Sequence, residues 1–336
     1  MPKDSLPHNT VFVEPSATQS GAGNRSKQMR LRAAWMYFIE EKTQSEIADH
    51  LGVGRVTVVR LLSDARQRNE VKFFIEGELA DCMQLSRELE VKFGMERAIV
   101  VPLSDSEADA TLAVSAATGA FLSEIIRPGL KIGVGWGRTL WESLSYLNET
   151  TVSQVSVVSL LGGITKAKQF NPSEFAWRFS NLFQAECYMM TAPAIVNSPQ
   201  TKTALIEHCG LGAVFERAKD LDVVLTSVGD MDKQSTPYRY DFVSEDVRRT
   251  MEENGAVGEF LFNYFDINGR PIDHALKDTV MSVPPAILAK SPQRIIASGG
   301  LRKALAIYGS IRALNPTVLI TDEHCARGLI NMEKGS

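Results

Sequence analysis

Basic and polar side chains spaced for DNA contact occur between residues 43 and 65, in the sequence TQSEIADHLGVGRVTVVRLLSDA. The spacing predicts two short helices with a turn at Gly52, where glycine favours the left-handed backbone that ends a helix. Polar residues near the start of the second helix of such a helix-turn-helix contact bases and phosphates. The residues predicted to contact DNA are Thr43, Gln44, Arg55, Thr57 and Arg60.

The apolar residues of this segment predict how the two helices pack. Ile47, Ala48 and Leu51 share one face of the first helix, and Thr43 and Glu46 have the spacing of a capping box. The residues of the second helix predicted to point inward are Val58, Leu61, Leu62 and Ala65. Paired amphipathic helices also occur in proteins that bind no DNA, but the agreement of cap, turn and apolar spacing favours the helix-turn-helix.

Four glycine-containing turns that follow predicted strands are candidates for binding a small molecule, because free N–H groups at such turns favour anions. The first two are Gly133 to Thr139 and Ser298 to Lys303, and the second places Lys303 in the first turn of a helix. A lysine there is electrostatically unfavourable unless an anion offsets its charge. The other two turns are Leu161 to Thr165 and Ser227 to Asp230. The alternatives are purely structural turns and a flexible surface lysine.

A carboxylate among glycines accepts hydrogen bonds from the vicinal hydroxyls of sugars and polyols. Glu259, in the sequence GAVGE, has this setting, although a solvated loop acid explains it equally well. The residues predicted to bind the small molecule are Gly133, Gly135, Trp136, Gly137, Arg138, Thr139, Gly162, Gly163, Asp230, Glu259, Gly299, Gly300 and Lys303.

The elements that position these residues follow from length and pattern. A chain of 336 residues exceeds one helix-turn-helix unit, so a small domain followed by a larger α/β domain is predicted. Apolar strands that alternate with helices predict a mostly parallel sheet covered on both faces. The predicted strands are 98–102, 131–134, 155–161, 188–195, 223–228, 294–297 and 318–320. The predicted helices are 29–41, 77–93, 108–126, 139–147, 172–183, 301–313 and 323–332.

The boundaries predicted from these patterns divide the chain into four parts. Residues 1–27 form a disordered lead-in, 28–77 the helix-turn-helix domain, 78–95 a linker or interface helix, and 96–334 the ligand-binding and oligomerisation domain. The whole chain has a net charge of −4, but residues 1–77 carry 11 Lys and Arg against 9 Asp and Glu. A helix-turn-helix domain with so small a positive charge binds DNA weakly. We therefore expect two or more copies of the domain to bind one operator together.

Composition also argues against several classes of protein. The four cysteines lie far apart with no C-x-x-C motif, so neither a disulfide framework nor a metal site is predicted. No apolar run approaches the length of a membrane span, and no signal peptide is evident, so a cytoplasmic protein is expected. His208, His274 and His324 each stand alone. We therefore predict no catalytic residues and no cofactor.

The order of motifs resembles the SorC/DeoR-type family of bacterial sugar-responsive transcription regulators. The similarity runs from about Arg30 to Met332, and its most specific parts are TQSEIADHLGVGRVTVVRLLSDAR, KIGVGWGRTL, SVGD, GAVGEFLFNYFDINGRPI and ASGGLRKALAIYGSIRA. The resemblance implies a helix-turn-helix domain and a Rossmann-like sugar-binding domain related to glucosamine-phosphate deaminases and ribose-phosphate isomerases (the NagB/RpiA/CoA-transferase fold). It implies operator DNA as a partner, a homotetramer built from dimers, and an effector that is a sugar, a polyol or a sugar phosphate.

The resemblance also assigns roles to residues of the larger domain. Gly135 to Thr139 and Lys303 would hold a phosphate or its equivalent, and Glu259 would face the hydroxyls. The sequence departs from the family pattern at two positions. Gly54 stands where relatives commonly have a capping serine, which lowers helix stability slightly. Trp136 stands in a loop that is often Thr-rich, and an indole face also stacks on the C–H surface of a sugar.

Two other functions compete with a ligand-controlled regulator of a carbohydrate or polyol operon. A sugar-phosphate isomerase or deaminase fits the implied fold, because fold alone does not determine function. It leaves the N-terminal helix-turn-helix unexplained. A constitutive architectural DNA-binding protein leaves the larger α/β domain unexplained.

Overall fold

The computed structural model describes residues 21–68, 70–71, 79–164 and 171–332, with residues 21–24 described by their backbone only. By contacts the chain divides into two compact units, residues 1–75 and residues 76–336. Among the described residues, no helix is both long enough and apolar enough to cross a membrane.

The helices of the first unit are α1 (Gly21–Phe38), α2 (Gln44–Leu51) and α3 (Arg55–Gln67). Residues 21–27 are thus helical, where a disordered lead-in was predicted, while residues 1–20 lie outside the described part. The predicted helix 29–41 ends earlier, at Phe38. The buried residues of this unit include every inward position predicted for α3 and two of the three predicted for α2. Its core consists of Ala33, Ala34, Met36, Ile47, Ala48, Val58, Leu61, Leu62 and Ala65.

The start of α2 and the turn between α2 and α3 have the predicted geometry. The Thr43 hydroxyl accepts a hydrogen bond from the Glu46 N–H at 3.3 Å, and Glu46 Oε2 accepts one from the Thr43 N–H at 2.8 Å. Gly52 ends α2 with φ of 66°, and Gly54 begins α3 without a side-chain hydrogen bond. The capping box and the left-handed glycine are confirmed.

Loss of the capping box should destabilise the first unit. We expect Thr43→Ala to lower the free energy of unfolding by about 0.5 to 2 kcal/mol, because the Glu46 N–H loses its acceptor. Thermal denaturation of the full chain measures the change. Ser45→Ala, at an exposed position of the same helix, is the control. Equal melting temperatures for the two variants would contradict the contribution of the cap.

The second unit contains ten strands and eleven α-helices among its described residues. The strands are β1 (Arg97–Val101), β2 (Lys131–Val134), β3 (Ser156–Ser159), β4 (Glu186–Tyr188), β5 (Val223–Thr226), β6 (Gly229–Asp230), β7 (Gly258–Phe260), β8 (Asn263–Phe265), β9 (Gln293–Ala297) and β10 (Val318–Asp322). The helices are α4 (Ala80–Phe93), α5 (Thr111–Ile125), α6 (Arg138–Ser143), α7 (Pro172–Leu182), α8 (Pro199–His208), α9 (Gly212–Ala218), α10 (Thr236–Arg239), α11 (Glu245–Glu253), α12 (Pro285–Leu288), α13 (Ala304–Leu314) and α14 (Glu323–Asn331).

Seven strands form one parallel sheet in the order β1-β10-β9-β5-β2-β3-β4. Alternate residues of its central strands enter two separate apolar cores. In β10, for example, Leu319 lies in one core, and Val318 and Ile320 lie in the other. A sheet buried on both faces explains the continuous apolar runs in the sequence. The prediction of a mainly parallel α/β fold is confirmed.

Three differences from the predicted elements concern short segments. The predicted strand 188–195 is wrong beyond Tyr188, where β4 ends. The antiparallel sheet β6-β7-β8 was not predicted, because strands of two or three residues are too short to show a pattern. The predicted helix 301–313 begins with a 3₁₀ turn, Leu301–Lys303, before α13.

Candidate functional site

A cleft of about 1190 Å³ lies at the carboxyl ends of β1, β2, β5 and β9 in the second unit. Turns that follow parallel strands meet at this edge of a sheet, where ligands of α/β proteins bind. The predicted residues that line the cleft are Trp136, Gly137, Arg138, Thr139, Glu259, Gly299, Gly300 and Lys303. Ser227 and Gly229, from a third selected turn, also line the cleft, so the structure brings together residues from three of the four turns.

The other predicted residues lie outside the lining, and they are Gly133, Gly135, Gly162, Gly163 and Asp230. Close packing explains two of these glycines. A Cβ on Gly133 would lie 2.6 Å from Leu221 Cδ1, and one on Gly162 would lie 2.6 Å from the carbonyl oxygen of Ala192. We leave the four glycines out of the candidate site. Asp230 contacts the lining residue Arg302.

Glu259 is the buried acid of the cleft, with 4% of its surface exposed. It belongs to β7, which pairs with β6 so that Glu259 lies opposite Gly229. Its Oε2 atom accepts a hydrogen bond from the Phe262 N–H at 2.8 Å. Burial raises the pKa of Glu259 to about 7, although the Phe262 N–H and the Lys303 ammonium oppose the rise. A carboxyl of this kind exchanges hydrogen bonds with hydroxyl groups in either protonation state.

Lys303 faces groups of the protein itself. Its Nζ atom donates a hydrogen bond to the carbonyl oxygen of Val228 at 3.1 Å. Burial lowers the pKa of Lys303, and Asp230 and Glu259 oppose that shift. Neighbouring carboxylates therefore supply some of the opposite charge, and the expectation that Lys303 holds a bound anion stays a prediction.

The turn at Gly299 and Gly300 also has an internal partner. The Gly300 N–H donates a hydrogen bond to the carboxylate of Asp322. The same carboxylate accepts bonds from the N–H groups of His324 and Cys325 at 3.0 Å. A Cβ on Gly299 would lie 2.5 Å from Asp322 Oδ2, so this close approach requires glycine. A buried carboxylate of the protein thus engages one of the N–H groups that the sequence predicted for an external anion.

Trp136 is 6% exposed, and aromatic rings cover much of its surface. Its ring stacks on Phe262 with centroids 5.4 Å apart and lies 6.1 Å from Phe242. The indole therefore forms part of the cleft wall, with limited surface left for a ligand.

Both arginines on the two glycine turns are paired with acids. Arg138 forms an ion pair with Asp109 at 2.8 Å. Arg302 contacts Asp230 at 3.1 Å and Asp232 at 2.8 Å. Sequence reasoning missed Arg302 and Asp109, although Arg302 adjoins Lys303 in the same turn. Ser227 belongs to a turn selected in the sequence but was not among the predicted binding residues. Sequence reasoning also missed Gln234, Ser235, Thr236, Arg239 and Tyr240, which lie in and around α10, a helix too short to show a pattern.

In the first unit, the predicted DNA-contacting residues lie at or near the start of α2 and α3. Arg55 and Arg60 are exposed on α3, and Thr57 is partly buried. Arg55 Nε donates a hydrogen bond to Gln44 Oε1 at 3.3 Å, which brings these two predicted residues together. The Thr43 side chain is engaged in the cap of α2.

Two valines of α3 are exposed in a way that sequence reasoning missed. Val56 is 84% exposed and Val59 is 47% exposed, on the same face as Arg55 and Arg60. Apolar side chains in a recognition helix contact the methyl group of thymine. The sequence held one indication of this exposure, because neither valine belongs to the residues of α3 predicted to point inward.

Comparison with known proteins identifies the family. Residues 77–331 match the family described as "Putative sugar-binding domain". This chain belongs to that family. It is 29% identical to the erythritol catabolism regulatory protein EryD of Brucella abortus, over 91% of this chain and 98% of that protein. It is 28% identical to the deoxyribonucleoside regulator of Bacillus subtilis, again over 91% and 98%.

A solved structure has the same fold over most of the chain. The full-length sorbitol operon regulator SorC of Klebsiella pneumoniae covers 91% of this chain and 99% of its own, with a TM-score of 0.71 and 22% identity. The resemblance to SorC/DeoR-type regulators is thus confirmed. Within the described residues, no group of three or more His, Cys, Asp or Glu is arranged to hold a metal ion.

The buried acid predicts a pH dependence of stability. The pKa of Glu259 is about 7 in the folded protein against a usual 4.5, so the unfolded chain releases this proton first as pH rises. Between pH 4.5 and 7 the wild type should therefore lose about 3 kcal/mol relative to Glu259→Gln, with no further change above that range. Glutamine keeps an acceptor for the Phe262 N–H. Melting temperatures of both proteins across this range test the shift, and a constant difference would contradict it.

Proposed function

We propose that this protein is a DNA-binding transcription regulator of a carbohydrate or polyol catabolic operon. A sugar, polyol or sugar-phosphate effector bound in the cleft controls it. The observation that best supports the proposal is the combination, in one chain, of an exposed basic face on α3 with a polar cleft in a sugar-binding domain. The relatives named above are regulators of operons for erythritol, deoxyribonucleosides and sorbitol.

We assign the DNA-binding domain to residues 28–77, the linker or interface helix to 78–95, and effector binding and oligomerisation to 96–334. We assign operator contacts to Arg55, Thr57 and Arg60. Thr43 and Gln44 lie at the edge of this contact surface. In the cleft, Glu259 and the side chains around Gly137 and Gly300 contact the effector. Binding there changes DNA affinity only if the effector distinguishes two conformations of the protein.

We also propose that the protein acts as a homo-oligomer, either a dimer or a tetramer, in the cytoplasm. Residues 1–77 carry a net charge of only +2, so one DNA-binding domain neutralises few phosphates. Linking two such domains in an oligomer raises the effective concentration of the second domain at the DNA. Sedimentation velocity on the full chain tests this, and a stable monomer both with and without DNA would contradict it.

We propose no enzymatic role for this protein. Glu259, with a pKa near 7, and Lys303, whose pKa is lowered, have shifts of the kind that acid–base catalysts show. An enzyme, however, has no use for the exposed face of α3. Incubation with phosphorylated sugars should leave them unchanged. Formation of an isomerised or deaminated product would support the enzyme instead.

The experiment that tests the function is a DNA-binding titration with effector. The full chain is titrated onto the DNA upstream of its own gene, with and without sugars, polyols and their phosphates. We expect sequence-specific binding, and one compound class should change the affinity by about 5- to 150-fold. Binding to that DNA no tighter than to random DNA would contradict the proposal.

A further inference from the structure

The charged side chains of the cleft compensate one another. Among the described residues, the lining cations are Arg138, Arg239, Arg302 and Lys303. The lining acids are Glu107, Asp109, Glu142 and Glu259, and Asp230 and Asp232 lie directly against Arg302. The lining itself thus holds four cations and four acids, and the two acids against Arg302 add further negative charge beside it.

Most of these cations also lie close to individual carboxylates of the protein. Arg138 binds Asp109, and Arg302 bridges Asp230 and Asp232. Lys303 lies near Asp230 and Glu259 and donates to a backbone carbonyl. Arg239 is exposed at the rim, over the ring of Tyr240 at 5.8 Å. Three of the four lining cations thus already face carboxylates of the protein.

One backbone donor of the cleft is already engaged. The Gly300 N–H is bonded to the Asp322 carboxylate, which therefore lies at the second glycine turn before any ligand enters. A phosphate dianion would have to displace internal ion pairs and lie close to Asp109 and Glu259. Transfer of a charge into such a site is costly unless new partners form.

We propose that the effector is an uncharged polyhydroxy compound, a polyol or a free sugar, and that the cleft discriminates against its phosphate ester. This inference depends on the proposed function, since it assumes that the effector binds in this cleft. Hydroxyl groups suit the lining, because the Glu259 carboxyl and the side chains of Ser227, Gln234 and Thr236 are hydrogen-bonding groups that need no counter-charge.

The test compares matched ligands on the full chain. Calorimetric titrations at neutral pH use erythritol, sorbitol, the monophosphate ester of each, and inorganic phosphate. We expect at least one polyol to bind about tenfold more tightly than its ester, and inorganic phosphate not to compete. Tighter binding of the ester would overturn the inference and leave the proposed function intact. Failure of both polyols and both esters to bind would overturn the assignment of the cleft and the inference with it.

A charge variant tests the discrimination against the phosphate ester in a second way. Asp109→Asn keeps the acceptor for the Thr111 N–H but removes the charge that holds Arg138. We expect it to improve binding of the ester by about fivefold while the affinity for the polyol changes little. The control is Glu124→Gln, which breaks the exposed ion pair with Arg97 outside the cleft lining. No gain for Asp109→Asn over this control would overturn the inference.

Discussion

Arg55→Ala and Arg60→Ala should each weaken operator binding by about 1 to 3 kcal/mol, or about 5- to 150-fold, if the residue contacts a base. Both side chains are exposed on α3, while the opposite face of that helix is buried. A residue that contacts only phosphate gives a smaller loss, which is equal for specific and random DNA and lowers the salt dependence. Fluorescence anisotropy on both DNAs at two salt concentrations separates the two cases.

Arg127→Ala is the matched control for these two variants, because Arg127 is an exposed arginine of the second unit. It removes the same charge without touching α3. Neither Arg55→Ala nor Arg60→Ala removes a core contact, so melting temperatures should stay near that of the wild type. Operator affinities equal to that of Arg127→Ala would show that α3 does not contact the DNA.

Glu259→Gln should weaken effector binding by about 1.5 to 3 kcal/mol, or about 10- to 150-fold, because hydroxyl groups lose a charge-assisted acceptor. DNA affinity without effector should stay unchanged, since Glu259 belongs to the second unit alone. In the wild type, effector binding should strengthen as pH rises through about 7, where the buried carboxyl ionises and becomes the better acceptor. Calorimetry over this pH range measures both effects.

Glu107→Gln is the control for the acid, because Glu107 also lines the cleft but is exposed. Its removal should change effector affinity by less than about 1 kcal/mol, as screened surface charges do. If the two glutamine variants bind the effector equally well, Glu259 does not contact it. If only Glu259→Gln loses the pH dependence, the buried carboxyl is its source.

The helix pair and the parallel sheet could be predicted because each rests on a local pattern. Thr43, Glu46 and Gly52 determine the cap and the turn within ten residues, and the inward set of α3 follows helical spacing. Continuous apolar runs marked six of the seven strands of the large sheet closely. The sheet β6-β7-β8 could not be predicted, because its strands span two or three residues. Their pairing depends on residues far apart in the chain.

The sequence by itself determined where the cleft would form, since turns after parallel strands meet at one edge of a sheet. It also determined several residues of the lining, including Glu259 and Lys303. Only the tertiary structure decided how their charges are balanced. Asp109 lies next to Arg138, Asp230 next to Arg302, and Asp322 at Gly300, although 22 to 72 residues separate each pair. Electrostatic energy depends on distance in space and on burial, and neither can be read from spacing along the chain.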